Sequence, residues 1–304
     1  MRKPNNSELI RIKYRQQFTH DKMLIRKGKV KEVYDIGDGK LRFLFTDNIS
    51  VFDKIIPTKI EKKGCVLCGV AAHWFEMCGK HGIEHHFVER ESKNSMIVRK
   101  FSIVERGKQD MKNYLIPLEV IARYYVAGSF YERNKDKYEY GQRLEQPVIE
   151  FTTKFEKYDR LLDEKEAMEI GGITKEEMEE IKEAVLKIDE IIAGNIKGLI
   201  HVDGKKEFAM DGERNIVVVD TFGTPDEDRF WDEKMYNDGK FIELSKEFVR
   251  AYYKRNGYYE KLKEARKLGN EEPPIPPLPD SMANEVSKLY VELYEKLTGK
   301  KCEC

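Results

Sequence analysis

The sequence predicts an α+β fold in two parts, a β-rich N-terminal region followed by a mixed α/β region. Three observations carry this. Segments alternating with a period of two crowd the stretch up to Val126, and stripes of helical period follow from Thr174 onward. Strand-like runs then recur among the helices, over 199–203 and 216–220, without a regular βαβ alternation.

The elements follow in order. Val30-Lys31-Glu32-Val33-Tyr34 alternates like a strand, and Leu41-Arg42-Phe43-Leu44-Phe45 resumes an apolar run. Between them Gly37-Asp38-Gly39 tolerates positive φ, so the whole predicts a hairpin. A helix is expected over 66–77, with Val70, Trp74 and Met77 as its apolar residues, and strands over 96–100 and 118–126. Thr174-Lys175-Glu176-Glu177 fits a capping box, and Met178, Ile181, Val185, Ile188 and Ile192 form a stripe read as core. Asp211-Gly212-Glu213-Arg214-Asn215 is turn-like, and a helix is expected over 244–253. Pro273-Pro274-Ile275-Pro276-Pro277 is a stiff spacer leading into a last helix over 281–297, closed by Gly299. The expected division is 1–116, 117–272, and 273–304 as spacer and helix packed on the body.

Composition limits the partners. The chain has 304 residues, 40% apolar and 36% charged, with Lys+Arg and Asp+Glu equal at 55 each. A balanced chain has no global field to draw it to nucleic acid or a membrane, so a polyanionic ligand requires a local basic cluster. MRKPNNSELIRIKYRQQ at the start has no apolar core, and no apolar run approaches the length of a membrane span, so the expectation is a cytoplasmic protein. The five cysteines are odd in number and scattered, which predicts reduced thiols. Cys65-x-x-Cys68 could be joined by Cys78, Cys302, Cys304, His81, His85 or His86, but no common zinc spacing results.

Four places can carry chemistry. Lys27-Gly28-Lys29-Val30-Lys31 enters a strand, where a glycine lets backbone approach phosphate and lysines supply point charges; a solvated hairpin explains it too. In Asp203-Gly204-Lys205-Lys206-Glu207, period two puts Asp203, Lys205 and Glu207 on one face. If the strand ending in Asp220 pairs with it, Glu207 and Asp220 converge into a hard oxygen site suited to Mg²⁺; an edge ion-pair ladder is the alternative. The apolar run from Ile216 to Val219 favours the site, because an acid ending a buried strand is a common placement for one. Thr224-Pro225-Asp226-Glu227-Asp228-Arg229 could fix a polar ligand or be a capped surface loop. Arg123 lies in a strand that otherwise reads as core, where a buried carboxylate or a ligand anion must pair it.

Taken in order, these segments resemble one family, the phosphoribosylaminoimidazole-succinocarboxamide synthases. The resemblance rests on Gly28-Lys29-Val30-Lys31-Glu32-Val33-Tyr34 and on Thr46-Asp47-Asn48-Ile49-Ser50-Val51-Phe52-Asp53. It continues through Pro117-Leu118-Glu119 to Arg123 with Gly128-Ser129, then Asp203-x-Lys205-x-Glu207-Phe208. Asp220 with Thr224-Pro225-Asp226 and Arg229-Phe230-Trp231, then Phe248-Val249-Arg250 and Pro276-Pro277-Leu278-Pro279, complete it.

The resemblance implies an ATP-dependent C–N ligase of purine biosynthesis, with ATP bound in a cleft between a β-rich lid and a mixed base. Its substrates would be ATP, the aminoimidazole carboxylate ribonucleotide and L-aspartate, with Mg²⁺ as cofactor, and it leaves room for a homodimer. Carried over by motif, Lys29, Lys31, Arg99 and Lys154 would serve ATP, and Glu207 and Asp220 would hold Mg²⁺. Arg123, Ser129, Asp159, Asp226 and Arg229 would bind substrate, with Lys205 and Asp203 at the reacting centre. The chain departs from the family pattern in several places. Tyr158-Asp159 stands for a His-Asp pair, Thr221 for an acid, Lys206 for an apolar residue and Ala209 for Gly. A small-molecule phosphotransferase with a kinase-like Gly-loop is the alternative enzyme, although no His-Arg-Asp or Asp-Phe-Gly run occurs. A nucleotide-binding regulator without turnover is the alternative outside catalysis.

Overall fold

A computed structural model describes residues 23–304 except 157 and 245. The N-terminal stretch read above for its lack of an apolar core lies outside the described residues.

Five strands open the fold: β1 (Met23–Lys27), β2 (Lys31–Gly37), β3 (Lys40–Phe45), β4 (Asn48–Val51) and β5 (Lys54–Lys59). Helix α1 (Lys63–Lys80) leads to β6 (Phe87–Ser92), β7 (Ser95–Arg99), β8 (Ser102–Ile103) and β9 (Tyr114–Leu115). Next come β10 (Leu118–Tyr125), α2 (Gly128–Asn134), β11 (Arg143–Thr153), β12 (Leu161–Leu162), α3 (Glu164–Gly171) and α4 (Lys175–Asn195). The chain continues through β13 (Leu199–Met210), β14 (Ile216–Val219), β15 (Asp228–Asp232) and α5 (Glu233–Asn237). Three helices finish it: α6 (Glu247–Arg255), α7 (Tyr258–Leu268) and α8 (Asp280–Thr298).

Two sheets dominate, which makes the fold α+β as expected. The first is five-stranded and antiparallel, in the order β1-β2-β3-β7-β6. Its β2–β3 turn has positive φ at Gly37, Asp38 and Gly39, the conformation for which those residue types are suited. The second is eight-stranded, with β12-β11-β10-β13-β9-β8 in line and β14 and β15 also paired to β13. Sheet membership changes between Arg99 and Ser102.

Helix α1 starts earlier than its apolar spacing suggests. A Cβ on Gly64 would sit 2.6 Å from the Phe45 carbonyl oxygen, so glycine alone lets the helix end approach β3 this closely. The Gly64 amide donates to Asp47 Oδ1 at 2.9 Å, satisfying one of the end donors of the helix. Helix α4 carries the expected capping box, with Thr174 and Glu177 exchanging both bonds. One continuous core joins Phe43 and Phe45, Trp74 and Phe75 of α1, Phe208 of β13 and Tyr290 of α8.

The expectation of reduced thiols fails for one pair. Cys65 and Cys304 form a disulfide across a sequence separation of 239, with Cα atoms 5.8 Å apart. Helix α8 runs back against α1 and returns the C-terminal segment to the first turn of α1. No local spacing encodes that return. Cys68 and Cys78 are buried free thiols, and Cys302 is free and half-buried.

Candidate active site

Strand β13 is the hub of the candidate site. Its register against β10 pairs Arg123 with Asp203 and Ile121 with Lys205. Against β15 it pairs Asp203 with Arg229 and Gly204 with Asp228. Further along, Glu207 pairs with Val219 of β14, so Asp220 follows directly after the residue opposite Glu207. Asp220 has φ of 60°, a left-handed turn at the strand end. These registers bring acids and bases from four strands into one patch.

Lys205 sits at its centre. Its Nζ lies 2.9 Å from Glu119 Oε1, 2.8 Å from Glu207 Oε1 and 3.3 Å from Glu227 Oε2. Burial works against its charge, but the three carboxylates outweigh that and hold its pKa well above the ordinary lysine value. Glu207 is almost fully buried, which alone would raise its pKa. The Lys154 and Lys205 ammoniums, both bonded to it, instead hold it well below the usual carboxylate range. Glu119 shows the opposite balance, with desolvation raising it more than Lys205 lowers it. Lys31, from β2 of the other sheet, reaches Asp220 and lies 4.2 Å over the Phe43 ring. Burial pushes Lys31 down to about 7, against the pull of Glu207 and Glu227.

A second group adjoins the first through Asp203. Arg123 is 6% exposed; its Nε lies 2.6 Å from Glu150 Oε2 and its Nη1 3.1 Å from Asp203 Oδ2. Its Nη2 donates to Ser129 Oγ at 3.2 Å. Arg229 Nε lies 3.4 Å from the other oxygen of Asp203, and its Nη1 3.1 Å from Glu243 Oε1. The arginine in the apolar strand is therefore paired within the protein, by two carboxylates and a hydroxyl.

Nine of the expected residues thus meet: Lys31, Arg123, Ser129, Lys154, Asp203, Lys205, Glu207, Asp220 and Arg229. Four stand apart. Lys29 pairs with Asp53 on the exposed side, and Arg99 donates to the His85 carbonyl at 2.7 Å beside Glu84. Asp159 is exposed, within electrostatic reach of Lys29, Lys154 and Lys205. Asp226, expected as a substrate contact, turns inward: Lys63 Nζ is 2.8 Å from one oxygen, and the Tyr290 hydroxyl donates to the other at 2.6 Å. Its side chain is 3% exposed, so it anchors the 224–227 loop between α1 and α8.

Glu119 and Glu227 were read within motifs but given no site role, and Glu150 and Glu243 were not singled out from the sequence. An acid inside a strand, as Glu119 and Glu150 are, was the signal that could have found two of them. Glu207 and Asp220 offer carboxylate oxygens on neighbouring strands, the hard donor set that Mg²⁺ takes. Behind them, Asp189, His201 and Asp228 also group closely enough for a metal, but the Lys206 ammonium bonds both of those carboxylates and occupies the cationic position.

Comparison with known proteins shows the family of the chain. A family model described as SAICAR synthetase matches residues 24–265. The phosphoribosylaminoimidazole-succinocarboxamide synthase of Thermoplasma acidophilum is 52% identical over 91% of this chain and 99% of its own. A SAICAR synthetase solved in complex with ADP superposes with a TM-score of 0.70 at 28% identity, covering 92% of this chain and 99% of that one. The Saccharomyces cerevisiae SAICAR synthase has the same fold, with a TM-score of 0.74 at 24% identity over 94% and 98% of the two chains. With a family match across most of its length and a relative identical at half its positions, the chain belongs to the SAICAR synthetase family.

Proposed function

We propose that this chain is an ATP-dependent ligase joining L-aspartate to the carboxylate of 5-amino-1-(5-phospho-D-ribosyl)imidazole-4-carboxylate, giving SAICAR, ADP and phosphate in cytoplasmic purine biosynthesis. The observation that carries it is the patch of lysines, arginines and carboxylates on β13 in a chain of this family. A carboxylate resists attack by an amine, so it must first be phosphorylated by ATP. The amine then displaces phosphate from the acyl phosphate. Three anionic ligands must meet in one site, which needs concentrated local positive charge in a chain of zero net charge.

The roles are those that the family motifs imply, and the contacts of several of these residues support them. Lys31 and Lys154 carry ammoniums beside Asp220 and Glu207 and are within reach of phosphates placed there. Lys29 and Arg99 serve ATP from farther out. Glu207 and Asp220 would hold Mg²⁺, which when bound neutralises phosphate charge. Arg123 and Ser129 would grip the phosphate of the nucleotide substrate through the Nη2 edge, whose protein partner is a neutral hydroxyl. Arg229 and Asp159 would orient substrate, and Asp203 and Lys205 line the reacting centre, where Lys205 steadies negative charge as it develops. The β-rich part up to residue 116 would act as the lid, 117–272 as the base, and 273–304 as a brace. No helix among the described residues is long and apolar enough to cross a membrane.

The test is ADP release. It should require ATP, Mg²⁺, the aminoimidazole carboxylate nucleotide and L-aspartate together. Equal release without aspartate would favour the phosphotransferase alternative, which the relatives above do not support.

A further inference from the structure

The face of β13 away from the candidate site carries a buried charge cluster. Lys206 is 0% exposed; it bonds Asp189 of α4 and lies 2.9 Å from Asp228 Oδ2 at the start of β15. The same Asp228 oxygen is 2.7 Å from His201 Nε2, and its Oδ1 accepts from the Gly223 amide at 2.9 Å. Asp189 accepts from the Tyr124 hydroxyl of β10 at 3.1 Å. The cluster therefore ties α4, β10, β13 and β15 together from behind.

Its position against the backbone is specific. A Cβ on Gly204 would collide with both Asp228 Oδ2 and Lys206 Nζ, so the ion pair lies flush under the backbone at Gly204. Gly204 joins Asp203 to Lys205, and Asp228 precedes Arg229. The pair thus fastens the two residues, Gly204 and Asp228, that face each other in the register presenting Asp203, Lys205 and Arg229 on the other side. Exchanging a buried ion pair for well-packed apolar groups is often neutral or stabilising, so stability alone does not explain why charges sit here. Register does. A slip of one residue between β13 and β15 would turn Arg229 away from Asp203, and an ion pair with one geometry resists that slip where interchangeable methyl groups would not.

We propose that Lys206 and Asp228 are a positioning pair for the reaction, setting where Arg229 and Asp203 meet the nucleotide substrate. The pair acts only through those residues and touches no ligand. The inference rests on the ligase reading, and wild-type turnover tests that reading first.

The experiment uses the full chain with two variants, Asp228→Asn and the double variant Lys206→Met with Asp228→Asn. Asparagine retains an acceptor for the Gly223 amide, and the double change leaves no lysine without its Asp228 partner. Both should melt as folded proteins. Each should raise the KM for the aminoimidazole carboxylate nucleotide by about tenfold or more, since ångström-scale misplacement of binding groups has effects of that order. The KM for ATP should stay within about twofold, because Lys31 stands on β2 and Lys154 just after β11, outside the β13–β15 register. An equal rise in both KM values, unchanged constants in a folded variant, or loss of the folded state in both variants would overturn the proposal, because the pair would then be a stability element alone. If wild type itself shows no aspartate-dependent ADP release, the ligase reading fails instead.

Discussion

Lys31 and Asp220, 189 residues apart in the chain, meet as an ion pair that joins the five-stranded sheet to the end of β14. Asp220 is also fixed from behind, where its carbonyl lies 3.2 Å from His86 Nε2. The candidate metal-ligating carboxylate is thus held ready by a lysine. If Asp220 holds Mg²⁺ as proposed, the Lys31 ammonium beside it would be placed to pair with a phosphate of the nucleotide.

Replacing Asp220 by Asn should therefore damage turnover more than folding. Asn keeps the shape and removes the charge that would hold Mg²⁺. A fall of roughly a hundredfold in kcat is expected, the effect of losing one electrostatic stabiliser at a reacting centre. The measurement is kcat against Mg²⁺ concentration beside thermal melting. Near-normal turnover at low Mg²⁺ would show that Asp220 does not hold the ion.

Arg123→Lys separates binding from support. A lysine offers one point charge where the guanidinium reaches Glu150, Asp203 and Ser129 at once. The KM for the nucleotide substrate should rise by about tenfold or more, with the KM for ATP little changed. A lowered melting temperature with unchanged kinetic constants would make Arg123 a structural group only.

The sequence made the strand hub legible because its signals were local. Period two over Asp203–Glu207, and an apolar run ending in Asp220, follow from strand geometry alone. The β2–β3 turn and the Thr174 cap were legible for the same reason. What escaped depends on contacts distant in sequence. Asp226 looked like a ligand contact in an acidic loop, and only the return of α8 reveals Tyr290 and Lys63 around it. Lys206 looked like an odd substitution until Asp189 and Asp228 closed on it. The α7 helix has little burial, with Tyr258 and Leu262 its buried residues, so its apolar stripe was too thin to read.

The disulfide gives a prediction about stability without chemistry. Cys65–Cys304 closes most of the chain into a loop and should stabilise by up to about 5 kcal/mol through the unfolded state. Cys304→Ser, or treatment with a phosphine reductant, should lower the melting temperature by several degrees. Kinetic constants at 25 °C should not move, since the side-chain contact of Cys65 outside the disulfide is with Arg90 and not with a residue of the β13 patch. An unchanged melting temperature would mean that the bond adds nothing to the fold.

Asp226 sets a pH dependence whose sign can be worked out. Burial would raise its pKa, but the Lys63 ammonium prevails, with Lys246 and the Tyr290 hydroxyl helping, and lowers it from 3.8 to about 2. A carboxyl depressed in the folded state contributes stability that is fully present above the unfolded value of 3.8. That contribution is lost as pH falls through 3.8 towards 2, and the shift corresponds to about 2 kcal/mol. Lys63 is itself lowered by burial, with Asp226 opposing, but it stays protonated throughout this acid window and so adds no slope there. Asp226→Asn should be strongly destabilised at neutral pH, by about 3–5 kcal/mol, because a buried ammonium loses its partner. Its melting temperature should then fall less steeply than that of the wild type between pH 4 and pH 2, so the two curves converge. Parallel curves across that window would show that the Asp226 carboxylate is not what the acid limb titrates.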